Sequence, residues 1–161
     1  MSAEEQVVDG QRTWSGGVDG QAPFRVLPRV TEDDEHFWTG GEQGQLRILR
    51  CRACGTWIHP AAPVCPDCLS RDVAPEVASG RGEVHAYTIN VQEWNPTFEH
   101  PYVIAVIELD EQPGLRLTSN VYGCDPQDVR IGMRVEVFFE PFEDVWLPLF
   151  RPEGAEEDTD V

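Results

Sequence analysis

The chain has 161 residues, 40% of them hydrophobic, enough for a modest core in one ordinary domain or two very small modules and too few for a large multidomain enzyme. Its net charge is −17, from 12 basic residues, all Arg, against 29 acidic ones, a surface that repels phosphate backbones and anionic membranes. No run approaches the roughly eighteen apolar residues of a membrane span, and the N-terminus lacks a basic region followed by an apolar one, so a soluble cytoplasmic protein is expected.

Charge is unevenly spread along the chain. Residues 1–44 hold 9 acids and 3 Arg, residues 73–151 hold 13 acids and 5 Arg, and residues 152–161 hold 5 acids alone; residues 45–72, with 2 acids and 4 Arg, form the only basic segment. Residues 1–29 read as largely disordered, Gly-, Ser- and acid-rich at first and without periodicity, and residues 153–161 read as a disordered acidic tail. An N-terminal helix is expected within residues 30–45. Thr31 is a suitable N-cap, Glu32, Asp33, Asp34 and Glu35 complement the helix dipole, and Gly40-Gly41 stops the helix. Phe37 and Trp38 anchor it, either by packing onto the fold or by stacking on a ligand.

Cys51-Arg52-Ala53-Cys54 and Cys65-Pro66-Asp67-Cys68 follow. Two residues between thiolates let a tight turn aim both sulfurs at one metal, and two such knuckles complete a tetrahedral four-cysteine site. Residues 46–72 therefore read as a zinc ribbon. Leu46, Ile48 and Leu49 form the strand leading in, and residues 56–58 and 61–64 form a hairpin that joins the knuckles. Disulfides at this spacing would suit a secreted mini-protein, and iron would suit the same thiolates. A catalytic zinc would need an open position that four cysteines close. His59 stands near enough to replace a ligand but reads as an ordinary hairpin residue.

After a Pro- and Gly-containing linker over residues 73–80, the pattern changes to period two. Strands are expected over residues 84–91, 102–109 and 115–122, then a single capped turn at Asp125-Pro126-Gln127-Asp128, an alternating strand through Val135, Val137 and Phe139, and a last strand over 145–150. Five strands with a short helix between the third and fourth describe an OB-fold barrel over residues 80–152. The fold class is mainly β: N-terminal helix, zinc ribbon, five-stranded barrel. Cys124, the one cysteine outside the knuckles, sits beside Asp125, a setting that raises a thiol pKa and favours packing over nucleophilic chemistry.

The order of these motifs carries a resemblance. Phe37-Trp38, the strand into Cys51-x-x-Cys54-Gly55, Cys65-Pro66-x-Cys68, Ser79-Gly80-x-Gly82-x-Val84, Pro101-Tyr102-x-Ile104-Ala105-x-Ile107-Glu108-Leu109 and Arg130-Ile131-Gly132-Met133-x-Val135 are similar to the DUF35 family of rubredoxin-like zinc ribbon plus OB-fold proteins associated with acyl-CoA metabolism. The likeness covers residues 30–152. Leu69 departs from it, standing where the family usually has Gly. The resemblance implies structural Zn2+ on Cys51, Cys54, Cys65 and Cys68. It further implies an accessory, non-catalytic role in a hetero-oligomer with a thiolase-superfamily or lipid-transfer-protein-like enzyme, such as the aldolases of steroid side-chain degradation. In such an assembly the partner cleaves a carbon-carbon bond of an acyl-CoA thioester by retro-aldol or thiolytic chemistry.

The residues agree in showing no recognisable nucleophile–base motif. Zinc ribbons and OB-folds also bind nucleic acids, but a single-strand groove is normally lined with Lys and Arg, and the barrel segment is acidic. Arg47, Arg50, Arg52 and Arg71 could meet a compact anion such as the phosphates of coenzyme A, acidic residues of a partner, or only water. Phe37, Trp38 and Trp57 are candidate partner contacts, set against plain intramolecular packing.

Overall fold

The computed structural model describes residues 6–8, 11–14, 25–93 and 100–155. Three short strands, β1 (Gln6–Val8), β2 (Gln11–Trp14) and β3 (Arg25–Val26), pair antiparallel in a small sheet. They fall within the segment expected to be largely disordered, most of which lies outside the described residues, as does the acidic tail from residue 156 onward. No helix among the described residues is long and apolar enough to cross a membrane.

The N-terminal helix is shorter than its sequence signals suggest. Helix α1 spans Glu35–Thr39 with Asp34, not Thr31, at the N-cap. Thr31 closes a turn ahead of it: its carbonyl accepts from the Asp34 and Glu35 amides, and its own amide and hydroxyl donate to Asp34 Oδ1 at 2.6 and 2.7 Å. Gly40-Gly41 does not stop the chain either. A 3-10 turn continues over Gly40–Gln43 and ends at Gly44, whose left-handed backbone (φ 66°) turns its amide back onto the carbonyls of Gly40 and Gly41.

Strand β4 (Leu46–Cys51) is the middle of a three-stranded antiparallel sheet, with β5 (Trp57–Ile58) on one side and β6 (Val73–Ala78) on the other. Here two expectations are corrected. Residues 73–78 are not linker: every residue of β6 pairs with β4, from Cys51 opposite Val73 to Leu46 opposite Ala78. Pro75 is tolerated because β6 is an edge strand, where a missing N–H costs no ladder bond. Residues 61–64, expected as the second arm of a hairpin, form no strand; Pro60 and Pro63 interrupt them, and β5 pairs with β4 instead.

The barrel is built from β7 (Arg81–Asn90), β8 (Tyr102–Leu109), β9 (Arg116–Val121), β10 (Arg134–Phe142) and β11 (Val145–Pro152), closed in the order β10-β11-β9-β8-β7. One parallel contact, Phe150 opposite Val121, lets the last strand enter between the third and fourth, and β10 returns to β7 to close the ring. This is the five-stranded OB architecture expected. The Asp125 carboxylate accepts from the Gln127 amide at 2.8 Å and caps the 3-10 turn Pro126–Asp128, as the sequence predicts. Alternation along β8 sends Val103, Ala105, Ile107 and Leu109 into the core.

The core is continuous between the modules. Phe37 of α1, Leu46 and Ile48 of β4 and Ala78 of β6 are buried in one cluster with Val84, Ile107, Val135 and Phe150 of the barrel. Two further contacts lock the joint. The Gln112 side chain, in the turn between β8 and β9, accepts from the Trp57 amide at 2.9 Å and donates to the Trp57 carbonyl at 3.4 Å. Gly41 lies so close to β10 and β11 that a Cβ there would overlap the Cβ of Trp146 and the ring of Phe139. Substituting Gly41→Ala is therefore expected to cost about 1–3 kcal/mol of overpacking, read as a lower denaturant midpoint at unchanged slope.

Candidate metal centre

Each knuckle is a tight turn of the same design. Gly55 N donates to Cys51 O at 2.8 Å, and Leu69 N donates to Cys65 O at 3.0 Å, so each loop folds over its first cysteine. The residue after each second cysteine has a left-handed backbone: Gly55 at φ 84° and Leu69 at φ 61°. Leu69 thus adopts, with a side chain, the conformation that Gly supplies at the first knuckle, and that side chain is 74% exposed. The Thr56 hydroxyl donates to Asp67 Oδ2 at 2.7 Å and lies 3.2 Å from Cys54 Sγ, tying one knuckle to the other.

These turns bring four free thiols together, with Cys51 and Cys65 buried and Cys54 and Cys68 at the surface. All four sulfurs lie within 4.8 Å of one another, with Cys51–Cys68 and Cys54–Cys65 at 3.6 Å. A Zn–S bond of roughly 2.3 Å would put tetrahedral sulfurs roughly 3.8 Å apart, so the sulfur cage has the size zinc requires. Its electrostatics agree. Hydrogen bonding at Thr56, through its side chain and its backbone amide, holds Cys54 at about 6. Cys68 receives a backbone bond from Ser70 that favours its thiolate, yet the neighbouring sulfurs push it up to about 12. A divalent cation among the sulfurs reverses that resistance and lets every thiol ionise. His59 does not join the cluster; its ring packs on Phe37 with centroids 5.0 Å apart, and burial pushes its pKa down.

Apart from Arg71, the other candidate residues have partners within the chain. Phe37 is 5% exposed and packs within the core cluster. Trp38 packs edge-on against it and donates its indole N–H to Asp34 Oδ2 at 3.3 Å. Trp57 lies half-buried beneath the Arg50 guanidinium, 5.1 Å from its ring centroid. Arg50 also donates to Gly55 O at 2.9 Å and to Glu76 Oε1 at 2.7 Å, Arg47 donates to Gln45 Oε1, and Arg52 faces Asp72 at 3.8 Å. Arg71 is exposed without an ion pair among the described residues. Cys124 is half-buried against the core, and burial, Asp128 and Asp125 raise its pKa. Sequence reading missed Gln112 and the Thr56–Asp67 bridge. All three are polar residues outside strands whose role depends on a contact distant in sequence.

Two family patterns match the chain: the ChsH2 rubredoxin-like zinc ribbon domain over residues 38–74 and the ChsH2 C-terminal OB-fold domain over residues 76–140. A solved structure described as an Ltp2-ChsH2(DUF35) aldolase superposes with a TM-score of 0.71 at 38% identity, covering 78% of this chain and 98% of that one. The chain belongs to the DUF35 family. A DUF35 domain-containing scaffold protein of Methanothermobacter thermautotrophicus is 38% identical over 56% of this chain and 68% of its own length. The 3-oxo-4,17-pregnadiene-20-carboxyl-CoA hydratase alpha subunit of Mycobacterium tuberculosis is 34% identical over 84% of this chain, which spans only 42% of that relative. The DUF35 ribbon is a zinc ribbon, and the sulfur cage found here suits structural zinc.

Two outcomes are expected. Elemental analysis will find one zinc per chain, and Cys65→Ser or a strong chelator will unfold the ribbon, seen as loss of amide-exchange protection over β4 to β6. Substituting Leu69→Gly will relieve a left-handed leucine and raise stability by up to about 1 kcal/mol, while Gly55→Leu will lower it by about 1–2 kcal/mol; thermal melts of the zinc-loaded protein read both.

Proposed function

We propose that Cys51, Cys54, Cys65 and Cys68 hold one structural Zn2+. We further propose that the chain is the non-catalytic scaffold and acyl-CoA-handling subunit of a thiolase-superfamily complex that cleaves a carbon-carbon bond in a CoA thioester during steroid side-chain degradation. The observation that carries the reading is the likeness, at 38% identity, to nearly the whole DUF35 chain of an Ltp2-ChsH2(DUF35) aldolase. That likeness favours retro-aldol over thiolytic cleavage. The pregnadiene-carboxyl-CoA hydratase named above supports a steroid acyl-CoA as substrate class.

The chain's own chemistry fits a supporting part. Four thiolates fill the coordination of zinc and leave no position for activated water, so the metal holds shape. Helix, ribbon and barrel share one core and the Gln112 clasp, which makes the subunit a stiff body able to fix a partner's loops at a substrate channel. Arg71, exposed just after the second knuckle and without an ion pair among the described residues, is the ribbon cation left to meet CoA phosphates.

Reconstitution with an Ltp2-type aldolase subunit tests the reading. The two chains are expected to co-elute as a hetero-oligomer, and cleavage of a steroid side-chain CoA thioester is expected to need both. An aldolase equally stable and active without this chain, or turnover by this chain alone, would refute it.

A further inference from the structure

A groove runs between α1 and the ribbon, and its ribbon wall includes Leu49 and Ile58, which pack with Cys51 and Cys65 of the cage. Its larger part is a cavity of about 300 Å³ with Phe37, Ile48, Ile58 and His59 in its wall and Asp33 and Asp34 at its lip. A smaller part of about 190 Å³ is lined by Ala62, Val73 and Pro75 and shares Asp33, His36 and Leu49 with the first. The walls mix apolar side chains with the rings of Phe37, His36 and His59, and the carboxylates of the lip carry one sign of charge.

Glu32 and Asp33 are exposed there, Glu35 is exposed at the first residue of α1, and none of the three has an ion-pair partner among the described residues. Asp34 is already saturated by Thr31 and Trp38. Of the cations nearby, Arg29 is exposed three residues before Glu32, and those at the groove itself are weak or engaged. Burial pushes the pKa of both His36 and His59 down, and Arg47, which faces His36, donates twice to Gln45.

We infer that this groove docks a basic segment of the enzyme partner, one apolar side chain seated in the larger cavity and flanking Lys or Arg side chains paired with Glu32, Asp33 and Glu35. An anchor in a desolvated pocket with charges at its rim is the arrangement from which interfaces draw affinity and orientation. The acidic lip turns away phosphate-bearing ligands, coenzyme A included. A second copy of the chain is a poor occupant because it brings −17 of like charge and no Lys. The inference rests on the scaffold reading and supplies the face by which the enzyme would be held.

Two synthetic twelve-residue peptides test it on the full zinc-loaded chain, both with a central Leu-Trp pair, one flanked by Lys and Arg and the other by Glu. Calorimetry is expected to show the basic peptide binding at least tenfold more tightly, with several-fold weakening in 0.5 M salt, and His36 and His59 ring signals are expected to shift on binding. The Glu32→Arg/Asp33→Arg/Glu35→Arg variant should lose at least tenfold, and Glu32→Gln/Asp33→Asn/Glu35→Gln should fall between. Absence of saturable binding, or equal binding to the charge-reversed chain, overturns the inference, as does an aldolase complex that forms undiminished with that variant. If the basic peptide binds as described while no aldolase subunit joins the wild-type chain, the scaffold reading fails and the groove's preference for a basic segment stands.

Discussion

Four sulfurs held within 4.8 Å of one another resist carrying charge together unless a cation sits among them, and the ribbon has little else to hold it shut. Its own buried cluster consists of Leu49, Cys51, Ile58 and Cys65, two of which are cysteines of the cage. The metal therefore stands where a larger domain would have a core. Its effect does not stop at the knuckles. Cys51 ends β4, the strand that β6 pairs along its whole length and whose Leu46 and Ile48 enter the barrel's core. Fixing one end of β4 fixes the register of the sheet, and with it the angle at which the ribbon meets the barrel.

The joint between the modules is specified by shape and by direction. Apolar burial alone would let two small domains slide, since it has no preferred angle. Gln112 removes that freedom, because a side-chain amide that accepts from Trp57 N and donates to Trp57 O fits in one orientation. Gly41 removes it from the other side by permitting an approach to Trp146 and Phe139 that any side chain would block. Arg50 adds a third constraint within the ribbon, bonding the first knuckle at Gly55, the edge strand at Glu76 and the face of Trp57.

Features set by local chemistry were legible in the sequence. The two knuckles follow from cysteine spacing, the barrel strands from period two, and the Asp125 cap from a side chain two residues before its donor. What depended on competition or distance was not. Thr31 and Asp34 are both good caps, and because the Asp34 carboxylate binds Thr31, the helix starts later than a scan for caps suggests. Residues 73–78 carry Pro75 and too little alternation to read as a strand, and only β4 alongside makes them one. Phe37, Trp38 and Trp57 are an apolar signal that burial and binding share, and the sequence holds nothing to divide them. Leu69 was marked by its departure from the family's usual glycine, and its φ of 61° gives the physical content of that departure.

The charge pattern takes on a different meaning once the chain is folded. Read linearly, residues 45–72 are the basic exception in an acidic protein and invite an anionic ligand. In space Arg50 and Arg52 face Glu76 and Asp72, and the guanidinium of Arg47 is bonded by Gln45. Much of that basic charge is therefore spent on bracing the sheet. The acids ahead of α1 are the reverse case. Expected to serve the helix dipole, they meet a helix of only five residues, too short for the dipole to use them all, and Glu32 and Asp33 remain at the mouth of a groove with Glu35 exposed at the start of the helix. For a subunit read as a scaffold, this distribution separates two tasks: paired arginines keep the body stiff, and unpaired carboxylates beside an apolar cleft give it a face that discriminates among partners by charge.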